Sequence, residues 1–280
     1  MTKILVFGKT GQLSQAFLTT LLQETKFHTT SYSRVEVDFN NINNLVNFLD
    51  NLIYIPEFIL NCIAYTNVDQ AEQEQEICNN INHLAVAILA DFCQKNKIRL
   101  IHYSTDYVFD GSGNLPFLED NTINLKPLNF YGKTKLWAEE KIIQSGCSYL
   151  IFRISWLYNH NPNSKNFVNT IIKLSQQKQT ISVVNDQIGS PTDVDFIVKN
   201  SIKSFYIPSG IYHLNNGIYM SWYSFACQIF EKIKTTNQNI ILTKILGVDS
   251  SQYSTKAIRP KNSQLINLLY YFTLLKNKDY

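Results

Sequence analysis

A four-residue apolar run, Ile4-Leu5-Val6-Phe7, breaks abruptly into Gly8-Lys9-Thr10-Gly11-Gln12-Leu13-Ser14. This junction constrains the fold more than any other stretch. An uninterrupted short apolar run reads as a strand buried on both faces, the kind found inside parallel sheets. From residue 15 to 22 the pattern turns helical. A strand, a tight glycine turn and a helix start gather backbone amides and peptide dipoles around one point, which suits a phosphate. The spacing is G-x-x-G-x-x-S, with Ser14 where a third glycine is expected. Serine is still small enough for close helix–strand packing. Gly8-Lys9-Thr10 is not an ATP-binding loop, which requires a glycine five residues before Gly8. Dinucleotide binding is the leading reading and a purely structural turn the alternative.

The chain then alternates short apolar strands with helical stretches, which predicts an α/β fold, a doubly wound parallel sheet. Residues 28–33 read as the second strand. Ser33 and Arg34 stand at its exit, where an NAD-selective site carries an acidic residue. An arginine fork suits a 2′-phosphate instead, so this exit leans towards NADPH, with NADH and a merely solvated arginine as alternatives. Asp38 and Phe39 follow and can border the adenine. Residues 45–52 read as a helix and 58–63 as the third strand, opening into a loop at 64–72 on the ligand side of such a sheet. Residues 79–96 form a long helix with Leu84, Ile88 and Phe92 at near-helical spacing; Cys78, His83 and Cys93 are structural there. The strand at 98–103 ends in Ser104-Thr105-Asp106-Tyr107, where Thr105 can hydrogen-bond a substrate oxygen. Residues 116–127 lie outside the repeat and are expected to cover the cleft.

Tyr131 and Lys135 are four apart at the start of the next helix and therefore share a face. An ammonium beside a phenol favours the phenolate, which makes the tyrosine a proton donor near neutral pH. A buried strand at 150–154 ends in Ser155-Trp156. Beyond it come a helix from 166 to 176, strands at 180–184, 210–214 and 240–246, and a helix at 193–207. Ser221 is a natural N-cap. The loop at 186–192 is fit to hold a polar ligand, and His213 reads as structural.

Size and charge narrow the class. A chain of 280 residues suits one large α/β domain or a domain with a smaller lobe. A formal net charge of +3 without a basic run argues against a nucleic-acid partner. The five cysteines, Cys62, Cys78, Cys93, Cys147 and Cys227, are dispersed, which suits free thiols in a reducing compartment. The apolar runs are too short to span a membrane, and Met1 leads directly into a strand with no signal-peptide pattern. A cytoplasmic location is expected.

The motifs together resemble the dTDP-4-dehydrorhamnose reductase family, within the extended short-chain dehydrogenase/reductase superfamily. They are Gly8-Lys9-Thr10-Gly11-Gln12-Leu13, the segment from Asn61 to Glu72, the segment from Ser104 to Gly111, Tyr131-Gly132-Lys133-Thr134-Lys135-Leu136, Arg153-Ile154-Ser155-Trp156, the segment from Asn185 to Thr192, and Arg259-Pro260-Lys261-Asn262-Ser263. The resemblance implies a Rossmann-type domain over residues 1–158 and mainly a substrate-binding lobe over 159–280, leaving open that some segments return to the first domain. It implies reduction of the 4-keto group of dTDP-4-dehydro-β-L-rhamnose to dTDP-L-rhamnose with NADPH or NADH, the last step of dTDP-rhamnose biosynthesis. Tyr131 would be the proton donor, Lys135 would hold the nicotinamide ribose, and Thr105 would take the place of the superfamily's catalytic serine or threonine. Gly8, Gly11, Gln12, Leu13, Asp38, Phe39, Ala64, Tyr65 and Thr66 would line the dinucleotide. Val68, Asp69, Tyr107, Phe109 and Trp156 would face the sugar nucleotide, and Arg259 would contact its phosphate or pair with a core carboxylate.

Two departures leave points open. Ala16 stands where some relatives place a carboxylate associated with Mg²⁺ at a homodimer contact. After Ser263 the usual pattern gives way to Leu265-Ile266-Asn267-Leu268-Leu269-Tyr270-Tyr271-Phe272, a tail that either packs or leaves an apolar patch. The alternatives are a reductase of another nucleotide-linked 4-keto sugar and a non-catalytic regulatory subunit like the methionine adenosyltransferase β subunit. A dehydratase is disfavoured, because Tyr107 follows Thr105-Asp106 where a glutamate would complete an acid pair.

Overall fold

A computed structural model describes residues 1–235, 239–268, 270, 271 and 275. The chain begins with β1 (Thr2–Phe7), α1 (Gln12–Leu21), β2 (Phe27–Tyr32), α2 (Ile42–Asp50) and β3 (Phe58–Asn61). Next come α3 (Val68–Ala71), α4 (Gln75–Asn79), a π-helical turn at Asn80–Leu84 and α5 (Ala85–Asn96). Then follow β4 (Arg99–Thr105), α6 (Phe130–Ser145), β5 (Ser148–Ile154), β6 (Leu157–Tyr158) and α7 (Phe167–Ser175). The rest comprises β7 (Thr180–Val184), β8 (Ile188–Gly189), β9 (Thr192–Asp193), α8 (Val194–Lys203), β10 (Gly210–His213), β11 (Met220–Ser221), α9 (Trp222–Ile233), β12 (Lys244–Val248) and β13 (Asn262–Ser263).

Six strands form one sheet in the order β10-β5-β4-β3-β1-β2, and every pairing in it is parallel. The order reverses between β1 and β3, so the crevice for a ligand opens beyond the carboxyl ends of these two strands. Helices cover both faces. On one, Leu45 and Leu49 of α2, Leu89 and Cys93 of α5 and Ala138 and Ile142 of α6 bury against the strands. On the other, Leu13, Phe17 and Leu21 of α1 pack with Val194, Ile197 and Val198 of α8. Burying each such side chain stabilises the fold by about 1.5–3 kcal/mol. The chain therefore leaves this sheet after β5 and comes back to it with α8 and β10. The excursion builds a second core, in which α7 and α9 close over the parallel pair β7–β12.

The abundant asparagines terminate helices. Asn41, Asn129 and Asn166 accept a backbone N–H three residues on, satisfying donors that a helix start leaves free. Ser221 caps α9 as expected.

Three expectations need correction. The long helix at 79–96 is interrupted by the π turn, which buries Asn82 while Leu84 is 38% exposed; the inward face of α5 is carried by Ala85, Val86, Leu89, Ala90 and Cys93. The late strand lies at 244–248, not 240–246, because the N–H groups of Ile241 and Leu242 bond to Ser175 O at the end of α7. Residues 116–127 do not roof the cleft but anchor the tail. Phe117 bridges Leu265, and Glu119 accepts the N–H groups of both His213 and Tyr270. Leu265 and Tyr270 are fully buried, and the Tyr270 hydroxyl donates to Asn200 O at 3.1 Å. The tail thus packs at these residues, whereas Leu268, Tyr271 and Leu275 are exposed. Leu269 and Phe272 lie outside the described residues.

Candidate active site

The glycine turn after β1 fits a dinucleotide phosphate. Gly8 has φ of +95°, and a Cβ there would lie 3.0 Å from Ile63 and 3.3 Å from the Cys62 carbonyl. Gly11 starts α1 with no side-chain cap, leaving the helix N-terminus open to an anion. Ser14 shows why serine replaces glycine: its hydroxyl donates to the turn itself, at Gly8 O and at Gly11 O (3.0 Å). Leu13 is buried in the core, while Gln12 Oε1 is buried without a hydrogen-bond partner. An orphaned acceptor and a cradle that a side chain would fill both match a bound dinucleotide.

At the exit of β2, Arg34 is exposed and pairs with Asp38 at 3.4 Å. Sequence reading missed Glu36, whose carboxylate accepts from Ser33 N and Ser33 Oγ at 2.7 and 2.8 Å and is held below its usual pKa by those bonds. Phe39 is 2% exposed and packs edge-on against Phe7, so its ring belongs to the core. Tyr65 donates its hydroxyl to Glu74, and its main chain is held on both sides by the buried Asn82. Asn82 also donates to Thr134 Oγ1, tying this loop to α6. An asparagine inside an apolar helical run was the available signal for it. Ala64 is partly buried and Thr66 exposed on the same loop.

Helix α6 brings the chemistry together. A Cβ at Gly132 would fall 2.2 Å from Tyr107 O, so only glycine lets α6 dock this closely on the turn after β4. That contact places the Tyr131 ring 5.8 Å from Tyr107. Thr105, 6% exposed, accepts from Tyr107 N at 3.2 Å, donates to Asp106 Oδ1 at 3.1 Å and lies beside the Tyr131 side chain. Asp106 beside it is pushed up to about 7 by burial, partly offset by Ser263 and Thr105.

The expected lowering of Tyr131 by Lys135 is not found. Burial pushes the phenol up, the Thr105 hydrogen bond only partly opposes this, and Lys135 points its nitrogen elsewhere, to Tyr103 O at 2.7 Å and His102 Nε2 at 3.0 Å. Lys135 is 1% exposed, and burial brings it down to about 8, opposed by Glu139 and Cys78. Glu139 in turn forms a buried bidentate pair with Arg153, at 2.6 Å, and accepts from Ser104.

A cleft of about 1190 Å³ is lined by Asp69, Tyr107, Arg259, Phe167, Trp222 and Tyr253. Arg259 pairs with the Asp69 carboxylate through both terminal nitrogens, at 2.6 and 3.1 Å. Trp156, with φ of +49°, stacks on Trp222 at 3.5 Å and presses on Gly189. Val68 is partly buried at the start of α3. Phe109 does not face the cleft: it is fully buried, stacked on Phe117 with the Arg153 guanidinium 5.0 Å from its ring, because the segment at 116–118 folds back over it. Among the described residues no group of three or more His, Cys, Asp or Glu is arranged to hold a metal ion, and no helix is long and apolar enough to cross a membrane.

Known proteins are similar to this chain along most of its length. Residues 1–274 match the family model described as the RmlD substrate binding domain. The dTDP-4-dehydrorhamnose reductase of Salmonella typhimurium is 35% identical over 271 residues, covering 94% of this chain and 88% of its own. The crystal structure of a dTDP-4-dehydrorhamnose reductase from Bacillus anthracis in complex with NADP superposes with a TM-score of 0.86 at 32% identity, covering 97% of this chain and 93% of that one. The crystal structure of a dTDP-4-dehydrorhamnose reductase from Clostridium acetobutylicum gives a TM-score of 0.87 at 29% identity, with 97% of this chain and 92% of that one covered.

Proposed function

The chain belongs to the dTDP-4-dehydrorhamnose reductase family, and we propose from this premise that Thr105, Tyr131 and Lys135 carry out the family reaction. That reaction is the NAD(P)H-dependent reduction of the 4-keto group of dTDP-4-dehydro-β-L-rhamnose to dTDP-L-rhamnose, the last step of dTDP-rhamnose biosynthesis. The observation that carries the assignment of roles is the docking of α6 on the turn after β4 through Gly132, which brings Tyr131 against the turn that carries Thr105 at the carboxyl edge of the sheet.

The turn at Gly8 and Gly11, with Gln12, would hold the pyrophosphate, and Lys135 the nicotinamide ribose. When bound, the dinucleotide supplies the hydride. Thr105 orients the keto oxygen by a hydrogen bond, and Tyr131 donates its proton to that oxygen as it gains charge. A phenol raised by burial stays protonated at neutral pH, as a proton donor must. Arg34 supports NADPH as the preferred cofactor, by matching a 2′-phosphate once it leaves Asp38; Glu36 beside Ser33 works against it, and NADH is the competing choice. The cleft between the two cores is where the sugar nucleotide would bind, with Asp69, Tyr107, Arg259 and Trp222 in its lining. Five unpaired cysteines support a cytoplasmic location.

The test supplies purified protein with NADPH or NADH and either dTDP-4-dehydro-β-L-rhamnose or other nucleotide-linked 4-keto sugars, following loss of the reduced nicotinamide. Fastest turnover is expected with the dTDP-rhamnose precursor and NADPH. Faster turnover of another keto sugar would reassign the substrate, and no turnover on any would favour a regulatory subunit.

A further inference from the structure

The exit of β2 holds a carboxylate that the reduction itself does not use. The strand ends at Tyr32, whose carbonyl accepts the N–H groups of Gly8 and Lys9 and so lies against the glycine turn. Ser33 follows, without the acid that an NAD-selective sheet carries at this point. Three residues further on, Glu36 brings a carboxylate back to it. Glu36 Oε2 accepts from Ser33 N at 2.7 Å and from Ser33 Oγ at 2.8 Å. The Ser33 carbonyl in return accepts from Glu36 N at 3.1 Å and from Val37 N at 3.0 Å. The turn is thereby closed from both sides, and Val37, 1% exposed, roots it in the same core as Phe7. A carboxylate held in this way has its position fixed before a ligand arrives, which lowers the cost of binding. Both side-chain bonds fall on one oxygen of an exposed carboxylate, which has capacity for further donors. Lys9 of the glycine turn is among the charges that act on it.

Arg34 stands in the same turn and pairs with Asp38 at 3.4 Å, an exposed and therefore weak contact. One short turn thus presents an acceptor that suits a hydroxyl and a cation that suits a phosphate. We propose that Glu36 is the specificity-determining acid of the cofactor site, replacing the missing acid at the strand end: it accepts from the 2′-hydroxyl of the adenosine ribose and repels a 2′-phosphate. An ionised carboxylate only accepts hydrogen bonds, and a ribose hydroxyl has a proton to give it. A phosphate monoester is an anion at neutral pH and meets a like charge there. Arg34 acts in the opposite direction.

The inference rests on the dinucleotide reading of the glycine turn, and its test follows cofactor binding without sugar or turnover. NADH and NADPH are titrated separately into the wild-type protein and into Glu36→Gln, with nicotinamide fluorescence as the signal. Glutamine keeps a side-chain carbonyl for Ser33 and loses only the charge. NADH is expected to bind about tenfold more weakly, as the loss of a hydrogen bond to a charged group implies, while NADPH binds more tightly. Only this crossover supports the proposal. Tightening of both cofactors alike would reduce Glu36 to a diffuse negative charge, and unchanged affinities would reduce it to a clasp of the turn; either result overturns the proposal while leaving the dinucleotide site in place. Failure of the wild type to bind either nucleotide would overturn the dinucleotide reading and the proposal together. Arg34→Gln, expected to weaken NADPH alone, tests the reading of a 2′-phosphate partner separately.

Discussion

The electrostatics of the side chains at the sheet's carboxyl edge are set by where they are buried. Tyr131 and Thr105 were both legible in sequence, the first from a four-residue spacing to Lys135 and the second from a strand ending in small hydroxyls. Their electrostatics were not. Spacing put Lys135 on the same helical face as Tyr131, but the tertiary fold gives the lysine nearer partners in Tyr103 O and His102. No local pattern announces a carbonyl on a strand thirty residues away in sequence. Phe39 and Phe109 were misjudged for a related reason: an aromatic beside a ligand motif reads as a ligand contact, and only packing reveals a core ring. Thr105→Ala tests the oxyanion role. It removes one preorganised donor, and kcat is expected to fall by about 10²–10³ with the fold intact. Steady-state kinetics beside a thermal melt would check this, and an unchanged kcat would remove Thr105 from the chemistry.

Elements were easier to read than their ends. Strands β1, β3 and β5 carry uninterrupted apolar runs, at 4–7, 58–60 and 150–152, and a run of that kind has few places to go but the inside of a parallel sheet. Helix α6 is the element on which the site depends, and its close approach hangs on Gly132. In Gly132→Ala the methyl would strike Tyr107 O, so α6 must shift away from the turn carrying Thr105. A loss of turnover larger than the loss of stability is expected, measured by kcat against the denaturation midpoint. The loop between β7 and β8 offers a pH test. Burial would raise Asp186, but hydrogen bonds from Lys261 and Ser250 outweigh it and hold the carboxyl at about 2. Its folded pKa lies below the unfolded value of about 3.9, so its contribution is present above that value and is lost as pH falls towards 2. Asp186→Asn is expected to flatten this part of the acid-denaturation curve, and an unaltered curve would show the pair to be idle.

At the scale of the molecule, the alternation of strands and helices foretold the doubly wound sheet. The return of α8 and β10 to that sheet was harder to see. Nothing local distinguishes a helix that packs on α1 from one in a separate lobe; only the apolar face shared with Phe17 and Leu21 does. The tail was illegible because its anchors, Glu119 and Phe117, lie some 150 residues earlier. Leu265 is fully buried at that anchor, and its carbonyl accepts from Asn215 and Tyr219. Leu265→Ala should cost about 2–5 kcal/mol in chemical denaturation, whereas a loss below about 0.5 kcal/mol, typical of surface positions, would show that the tail is not docked. The central claim, that this chain reduces a keto sugar with Tyr131 as its acid, is tested most directly by turnover of Tyr131→Phe on dTDP-4-dehydro-β-L-rhamnose, alongside its affinity for NADPH. Removing the hydroxyl is expected to lower kcat by about 10²–10⁴ while NADPH binds almost as before; turnover equal to that of the wild type would contradict the account.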